Sequence, residues 1–314
     1  MEVTGGNGMP AVGIPRALLY YRYGTLWEHF FRALDVRVTL SPPGSRGILE
    51  AGARLAPDES CISLKMFIGH VESLVGRCER IFIPRYSNYG YTDLFCTRYE
   101  GIYDQARNIF RSSGQRFITC NIDVMNGSPE ARAFEQLGAE LGFSGRESRR
   151  AWREASGALE QERKAAGRAQ KEKAGKPGMK VLLAGHSYIL SDPYLGKPIR
   201  DYLDAAGAVT LRTDVLDPDV SRKASARFSP TCRWLVSEEV VGGVMLLKEK
   251  ADGIILVSAF PCGPDSMTNE LLIRRIKGVP VLPLILDIQS GMAGIETRIE
   301  SFLDIIRFQK GETV

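Results

Sequence analysis

The chain has 314 residues, of which 44% are hydrophobic and 25% are charged, and its formal net charge is +4. This length exceeds one typical domain, and the composition is ordinary for a chain that folds in water. With no run of about 18 apolar residues, no apolar core in the N-terminal MEVTGGNGMP and no concentrated basic face, we expect a cytoplasmic protein that neither spans a membrane nor binds nucleic acid.

The first part of the chain alternates strand and helix patterns. We predict strands over Ala11–Tyr21, Val36–Leu40, Arg80–Pro84 and Arg116–Ile122, and helices over Gly24–Leu34, Gly47–Leu55, about Leu64–Val75 and Tyr103–Phe110. Such alternation is typical of a parallel sheet with helical crossovers.

From residue 128 to 176 the pattern is helical and charged, and Lys176-Pro177-Gly178 ends it. Beyond it we predict strands over Lys180–Ala184, Val209–Thr213, Gly253–Val257 and Val281–Leu286, and helices over Gly196–Ala206, Arg233–Glu249, Asp265–Lys277 and Gly294–Phe308. The predicted fold class is α/β, with two Rossmann-like lobes and parallel sheets. An N-terminal lobe spans 1–127, a charged helical bridge 128–178, and a C-terminal lobe 179–314.

Neither GxGxxG nor GxxxxGK[ST] occurs at a strand-to-helix junction, and the glycines from Gly5 to Gly8 precede any strand. Nucleotide binding by the chain itself is therefore not indicated.

Six cysteines are present, none in a CxxC pattern. A reducing compartment disfavours disulfides, and the spacing does not support a zinc finger, so any metal site must be assembled by the fold. Cys61, Cys96 and Cys262 are each expected on a loop that leads from a strand to a helix, where ligands collect in open α/β sheets. The positive helix N-terminus there favours the thiolate form that binds metals. From spacing alone, buried thiols are an equally good interpretation.

The remaining cysteines are interpreted differently. Cys78 and Cys232 are expected to be ordinary small packing residues. Cys120 ends a predicted strand and is left open as a fourth metal ligand.

Several blocks of sequence resemble a family associated with the activators of 2-hydroxyacyl-CoA dehydratases. They are Gly13-Ile14-Pro15-Arg16-Ala17-Leu18, Tyr23-Gly24-Thr25-Leu26-Trp27, Asp58-Glu59-Ser60-Cys61, Ile81-Phe82-Ile83-Pro84-Arg85, Phe95-Cys96, Gly185-His186-Ser187-Tyr188, Asp192-Pro193-Tyr194, Cys262-Gly263-Pro264-Asp265-Ser266, Gly291-Met292-Ala293-Gly294 and Thr297-Arg298. The chain looks like a stand-alone relative within the superfamily of dehydratase subunits and double-cubane cluster proteins.

The resemblance implies a [4Fe–4S] cluster held by Cys61, Cys96 and Cys262, because dehydratase subunits use two first-lobe cysteines a little over thirty positions apart and one from the second lobe. Here Cys61 and Cys96 are 35 positions apart. Three thiolates leave one iron without a protein ligand, whereas Cys120 as a fourth would give a closed electron-transfer site. Two departures from the pattern are Thr97, where relatives usually have proline, and the absence of an ATPase domain.

The function that the resemblance implies is transfer of low-potential electrons from an ATP-dependent activator or reductase to a small substrate, which is reduced or dehydrated. The chain would then be an iron–sulfur reductase or a dehydratase-like lyase, and a homodimer is expected from the superfamily. Lys65, Arg85, His186 and Tyr188 are candidates to support the cluster. Two alternatives remain open: a double-cubane [8Fe–9S] cluster reductase, and a non-catalytic cluster carrier or small-molecule binding protein.

Overall fold

The computed structural model describes residues 11–289 and 292–311, which excludes the N-terminal glycines and Gly291. In the first lobe the strands are β1 (Ala11–Ile14), β2 (Arg37–Leu40), β3 (Arg80–Phe82), β4 (Arg85–Asn88), β5 (Arg116–Ile118) and β6 (Asn121–Asp123). Its helices are α1 (Tyr20–Ala33), α2 (Arg46–Leu55), α3 (Ile62–Glu72) and α4 (Thr97–Ile109). Two helices follow, α5 (Glu130–Glu140) and α6 (Gly145–Ala174), in the segment predicted to be a helical bridge.

The second lobe begins at the next strand. Its strands are β7 (Lys180–Ala184), β8 (Val209–Arg212), β9 (Gly253–Ala259) and β10 (Val281–Leu286). Its helices are α7 (Ser187–Leu190), α8 (Lys197–Ala205), α9 (Pro218–Phe228), α10 (Leu235–Leu247), α11 (Gly263–Arg275) and α12 (Met292–Gln309).

Each lobe is built on a four-stranded sheet, in the orders β2-β1-β3-β5 and β8-β7-β9-β10. All strand pairs in both sheets are parallel, which confirms the predicted α/β class. When only the strands of each four-stranded sheet are counted, in chain order, the two sheets have the same arrangement. In both, the second strand lies on one side of the first and the third on the other, so each sheet has a switch point where loops diverge.

Several predicted elements were wrong in extent, among them the helix predicted over Tyr103–Phe110, which begins at Thr97. The strand predicted over Ala11–Tyr21 ends at Ile14, because Pro15 and the left-handed Leu18 (φ 51°) turn the chain into α1. The strand predicted over Arg116–Ile122 divides into β5 and β6, and β6 pairs with β4 in a separate two-stranded sheet. The helix predicted over Arg233–Glu249 is shorter in the structure, where α10 spans Leu235–Leu247.

The helix α9 was missed, although its start signal is in the sequence. Asp217 accepts a hydrogen bond from the backbone N–H of Val220, and Pro218 occupies the first turn. An N-cap aspartate followed by proline is a strong helix-start pattern.

One hydrophobic core runs through both lobes, from Val12 and Phe30 in the first to Val181 and Phe302 in the second. Polar contacts also join the lobes, including a two-way backbone pairing between Leu94 and the segment Arg233–Leu235. The lobes are therefore held as one packed unit. Over residues 11–289 and 292–311, no helix has the length and apolar character needed to cross a membrane.

Candidate functional site

The three candidate cysteines occupy equivalent positions in the fold. Cys61, Cys96 and Cys262 are the N-cap residues of α3, α4 and α11. None of the three thiols makes a capping hydrogen bond, although serine, threonine, aspartate and asparagine are the residues that cap helices well. Cysteine at these positions is therefore not explained by helix initiation.

The expectation that all three cysteines follow strands was wrong for Cys61. It lies between two helices, α2 and α3, and only Cys96 and Cys262 lie on segments that lead from a strand to a helix. Cys61 reaches the site because the backbone N–H of Ile62 donates to the carbonyl of Phe260, at 3.0 Å, in the loop that carries Cys262. The first-lobe and second-lobe cysteine loops are thus directly joined.

The site lies at the switch point of the second sheet. The strands β7 and β9 are adjacent, and the loops that follow them lead to opposite sides of the sheet. The crevice between two such loops is where ligands bind in open α/β sheets. His186 follows β7, and Cys262 follows β9. The tertiary structure thus brings His186 beside the cysteine site.

Cys61 and Cys262 are each affected by the charge of a neighbouring thiol. Burial raises the pKa of Cys61, and the neighbouring Cys96 raises it further, while the Leu64 backbone N–H and the Arg98 guanidinium oppose the rise. Burial also raises the pKa of Cys262, with further contributions from Asp265 and Cys61. Thiolates at Cys61 and Cys262 would need a cationic partner in this environment.

Three helix N-termini converge at these cysteines. Each N-terminus carries a partial positive charge, so the arrangement favours an anionic group among the three loops. A cluster with several thiolate ligands is such a group.

His186 and Asp265 form a buried pair beside the cysteines. His186 Nε2 lies 2.5 Å from Asp265 Oδ1, and both side chains are almost fully buried. Burial alone would lower the pKa of His186, but the Asp265 carboxylate outweighs it and the net shift is upward. The pair can therefore hold a proton at Nε2, near Cys262.

An aromatic contact connects the same histidine to the first lobe. The Tyr188 ring stacks on His186, with centroids 4.9 Å apart, and meets the Tyr99 ring edge to face at 6.4 Å. Burial raises the pKa of Tyr99, and all three cysteines raise it further. Tyr99 therefore lies within electrostatic reach of the whole site.

Two hydroxyl oxygens at the site are buried and have no hydrogen-bond partner among the described residues. They are Ser60 Oγ and Ser63 Oγ, on either side of Cys61. Buried polar atoms are rarely left unpaired in proteins, so these atoms fit a site that takes up a further group.

The donor set of the site is three thiols. Within the part of the chain that the structure describes, no three His, Cys, Asp or Glu side chains are close enough to hold one metal ion. Thiolates that bind different irons of a cluster are spaced more widely than ligands of one ion. Cys61, Cys96 and Cys262 would hold such a cluster.

The other predicted site residues are distributed unevenly. Tyr188 and His186 lie at the site, and Lys65 lies beside it, where its Nζ donates to the Asp58 carbonyl at 3.0 Å. The partly buried Arg85 pairs with Asp104 at 2.8 Å and stacks over Tyr103, so α4 engages its guanidinium.

The remaining cysteines lie in other surroundings. Cys120 is buried in the first-lobe core, where Glu130 is the charged group that raises its pKa in addition to burial. Cys78 packs against Gly13 and donates to the Leu74 carbonyl at 3.6 Å. Burial raises the pKa of Cys78 and of Cys232 to about 11.

Sequence reasoning missed the roles of Asp265, Tyr99 and Arg98. Asp265 and Tyr99 are each three positions after a cysteine N-cap, where a side chain can point back toward the start of its helix. That spacing was the available signal. The partners of these residues could not be read from it, because His186 is 79 positions from Asp265.

A cleft of about 230 Å³ opens beside His186, between the two lobes. It is bounded by α1 and α6 on one side, and by the loops after β7 and β8 with the start of α10 on the other. Charged and hydroxyl side chains line much of it.

A family model described as "CoA enzyme activase uncharacterised domain (DUF2229)" matches residues 11–216. The matched region runs from β1 to just beyond β8, so it contains Cys61, Cys96 and His186 and ends before Cys262. No curated protein matches the chain significantly.

Proposed function

We propose, because the chain belongs to the family of the CoA enzyme activase uncharacterised domain, that it is an iron–sulfur protein of an acyl-CoA dehydratase-type system. Cys61, Cys96 and Cys262 hold a [4Fe–4S] cluster between the lobes. The protein accepts low-potential electrons from an ATP-dependent activator or reductase and passes them to a small substrate, which is reduced or dehydrated.

One observation carries this proposal: three cysteines from separate parts of the chain occupy the N-cap positions of three helices that begin close together. Cys96 raises the pKa of Cys61, Cys61 raises that of Cys262, and each of the three side chains remains partly exposed. Partial exposure allows a partner protein to approach the site closely.

The chain's own residues have definable roles in this scheme. When bound, the cluster supplies one-electron chemistry and a Lewis-acidic iron. Arg98 adds positive charge near Cys61, and the His186–Asp265 pair holds a proton beside Cys262. These groups favour arrival of an electron and delivery of a proton at the same place.

Iron content is the direct test. The protein is purified and reconstituted without oxygen, and we expect about four iron and four sulfide atoms per chain and an EPR signal after reduction. About eight irons would instead identify the double-cubane alternative. A colourless protein that cannot be reconstituted with iron would rule out both clusters.

The six cysteines provide matched variants for this test. Cys61→Ser, Cys96→Ser and Cys262→Ser should each lose most of the bound iron, whereas Cys78→Ser and Cys232→Ser should retain it. Equal loss in all five variants would mean that iron binds nonspecifically. Loss of iron in Cys120→Ser would make Cys120 the fourth ligand and the site a closed electron-transfer centre.

A turnover assay distinguishes the non-catalytic alternative from the enzymatic scheme. A reduced, iron-loaded protein that transfers its cluster to an acceptor protein but turns over no 2-hydroxyacyl-CoA would be a carrier. Turnover that depends on the activator and ATP would support the enzymatic scheme.

A further inference from the structure

The interlobe cleft beside His186 has a lining that is polar and balanced in charge. Three arginines, Arg22, Arg163 and Arg212, face three carboxylates, Glu162, Glu239 and Asp214. At about 230 Å³ the cleft is smaller than the roughly 300–1,000 Å³ of pockets for drug-sized ligands, so it suits a compact molecule rather than a coenzyme.

Four of these six charges already neutralise one another. Arg22 forms an ion pair with Glu239, and Arg212 forms a bidentate pair with Asp214, at 2.9 and 2.5 Å. In the described residues, Arg163 and Glu162 have no ion-pair partner. Arg163 lies over the Tyr23 ring, 5.6 Å from its centroid, and within electrostatic range of Glu130, and Glu162 accepts a hydrogen bond from Thr25 Oγ1. The cleft thus presents one guanidinium and one carboxylate that form no ion pair.

Unpartnered buried atoms of the same lining point to a ligand. Arg163 Nη2 is a buried donor and Glu239 Oε1 a buried acceptor, and neither has a hydrogen-bond partner among the described residues. Leaving such groups unsatisfied is costly, which favours a ligand that pairs with them.

We infer that this cleft binds a free α-amino acid. Its carboxylate pairs with Arg163, and its ammonium group pairs with the Glu162 and Glu239 carboxylates. A simple anion would meet three carboxylates in the lining and a simple cation three guanidinium groups, whereas a zwitterion satisfies both kinds of free group. Guanidinium–carboxylate pairing is favoured by the matching planar geometry of the two groups.

The inference does not rest on iron binding, because the cleft is lined by α1, α6 and the loops after β7 and β8 rather than by the cysteine loops. His186 is the residue that the two sites share. Binding is therefore measured in both the iron-free and the iron-loaded protein. Failure of cluster assembly with amino acid binding intact would reject only the proposed function.

Calorimetric titration of the full chain with each of the twenty free amino acids tests the inference. We expect at least one to bind, and its matched analogues, the deaminated acid and the decarboxylated amine, to bind at least about tenfold more weakly. The inference is overturned if no amino acid binds at about 10 mM, or if either analogue binds as tightly as the amino acid.

Variants on α6 localise the site. Arg163→Gln should weaken amino acid binding about tenfold or more, and Glu162→Gln should weaken it while leaving binding of the deaminated acid unchanged. Lys164→Gln, which removes an exposed charge paired with Glu160, is the matched control and should bind normally. Unchanged melting temperatures show that the variants fold, and unchanged affinity in Arg163→Gln would contradict the assignment.

Discussion

At the scale of single residues, cysteine occupies three helix N-caps where its side chain makes no capping hydrogen bond. A thiol is a poor cap, yet cysteine begins α3, α4 and α11, and the helices form because tertiary packing stabilises them. The backbone of each cysteine still contributes to helix initiation, because the Cys61, Cys96 and Cys262 carbonyls accept hydrogen bonds from N–H groups in the first turns of their helices. The side chains are thus left available.

Because the N-cap thiols make no capping hydrogen bond, replacing one of them has a predictable effect on stability. In the iron-free protein, Cys61→Ser should leave the free energy of unfolding unchanged or raise it by up to about 1 kcal/mol, because the serine hydroxyl can cap α3. Urea denaturation measures the difference. Cys120→Ser is the contrasting variant, expected to cost about 1–3 kcal/mol because it buries a hydroxyl in the core. Strong destabilisation by Cys61→Ser would indicate a packing role for that thiol.

A second residue-scale feature is His70, which is completely buried in α3. Its Nδ1 lies 2.8 Å from Ser41 Oγ, and that hydroxyl also accepts from the Arg16 backbone N–H. Burial, with a smaller contribution from the charge of Arg16, lowers the pKa of His70 to about 4. The folded protein therefore keeps this imidazole neutral where the unfolded chain would protonate it.

The consequence is a loss of stability at acid pH. Between about pH 6.5 and pH 4 the unfolded state binds a proton at His70 that the folded state does not, so the free energy of unfolding falls as pH falls through this window, by roughly 3 kcal/mol at most. Urea denaturation at several pH values measures it. His70→Asn should be less stable at pH 7 but should show a shallower decline. An identical slope in the variant would remove His70 as the cause.

At the scale of elements, the placement of Cys61 depends on how closely α2 and α3 cross. Gly52 of α2 faces the backbone of α3, where an added Cβ would lie 1.7 Å from the Lys65 carbonyl oxygen. Gly69 of α3 faces α2 in the same way: an added Cβ there would lie 1.9 Å from the Ile48 carbonyl oxygen. Because both contacts are with backbone, no side chain can move to make room.

Gly52→Ala should therefore push the two helices apart, destabilise the protein by at least about 1–3 kcal/mol and weaken iron binding by displacing the Cys61 loop. Gly47→Ala is the matched control on α2, since its Cβ would meet its nearest atom at 4.0 Å. The control should be neutral or stabilising by up to about 1 kcal/mol. The melting temperature and the iron content of both variants are measured. If Gly52→Ala and Gly47→Ala had the same melting temperature and iron content, the close crossing of α2 and α3 would not be what positions Cys61.

At the scale of the whole molecule, the lobes are joined around the site by polar contacts as well as by the shared core. The Tyr21 hydroxyl of α1 donates to Asp192 Oδ2 at 3.0 Å, and Asp192 Oδ1 accepts from the backbone N–H groups of Tyr194 and Leu195. Asp192 is 1% exposed. The Asp192-Pro193-Tyr194 block thus holds the second lobe against the first.

Tyr21→Phe should leave a buried carboxylate oxygen unpaired and cost about 1–3 kcal/mol in the free energy of unfolding. Tyr20→Phe, on the same helix, removes a hydrogen bond to Glu28, whose side chain is 24% exposed and can turn to water, so it should cost less. Chemical denaturation compares the two. A larger cost for Tyr20→Phe would mean that the contact between lobes contributes little.

The sequence by itself determined the α/β class, most strands and the three cysteines of interest, because these depend on hydrophobic period and on turn residues within a few positions. The strands Lys180–Ala184 and Val281–Leu286 have the predicted bounds. Local patterns could not show the division of β5 from β6, since both fragments have strand-like sequences and only pairing with β4 separates them.

Only the tertiary structure decided what surrounds the cysteines. Their convergence depends on the order of strands in two sheets and on packing between the lobes, which join residues as distant as Arg22 and Glu239, 217 positions apart. No local period carries that information. The pairing of His186 with Asp265, the position of Cys61 between two helices and the charge-balanced cleft all follow from these long-range contacts.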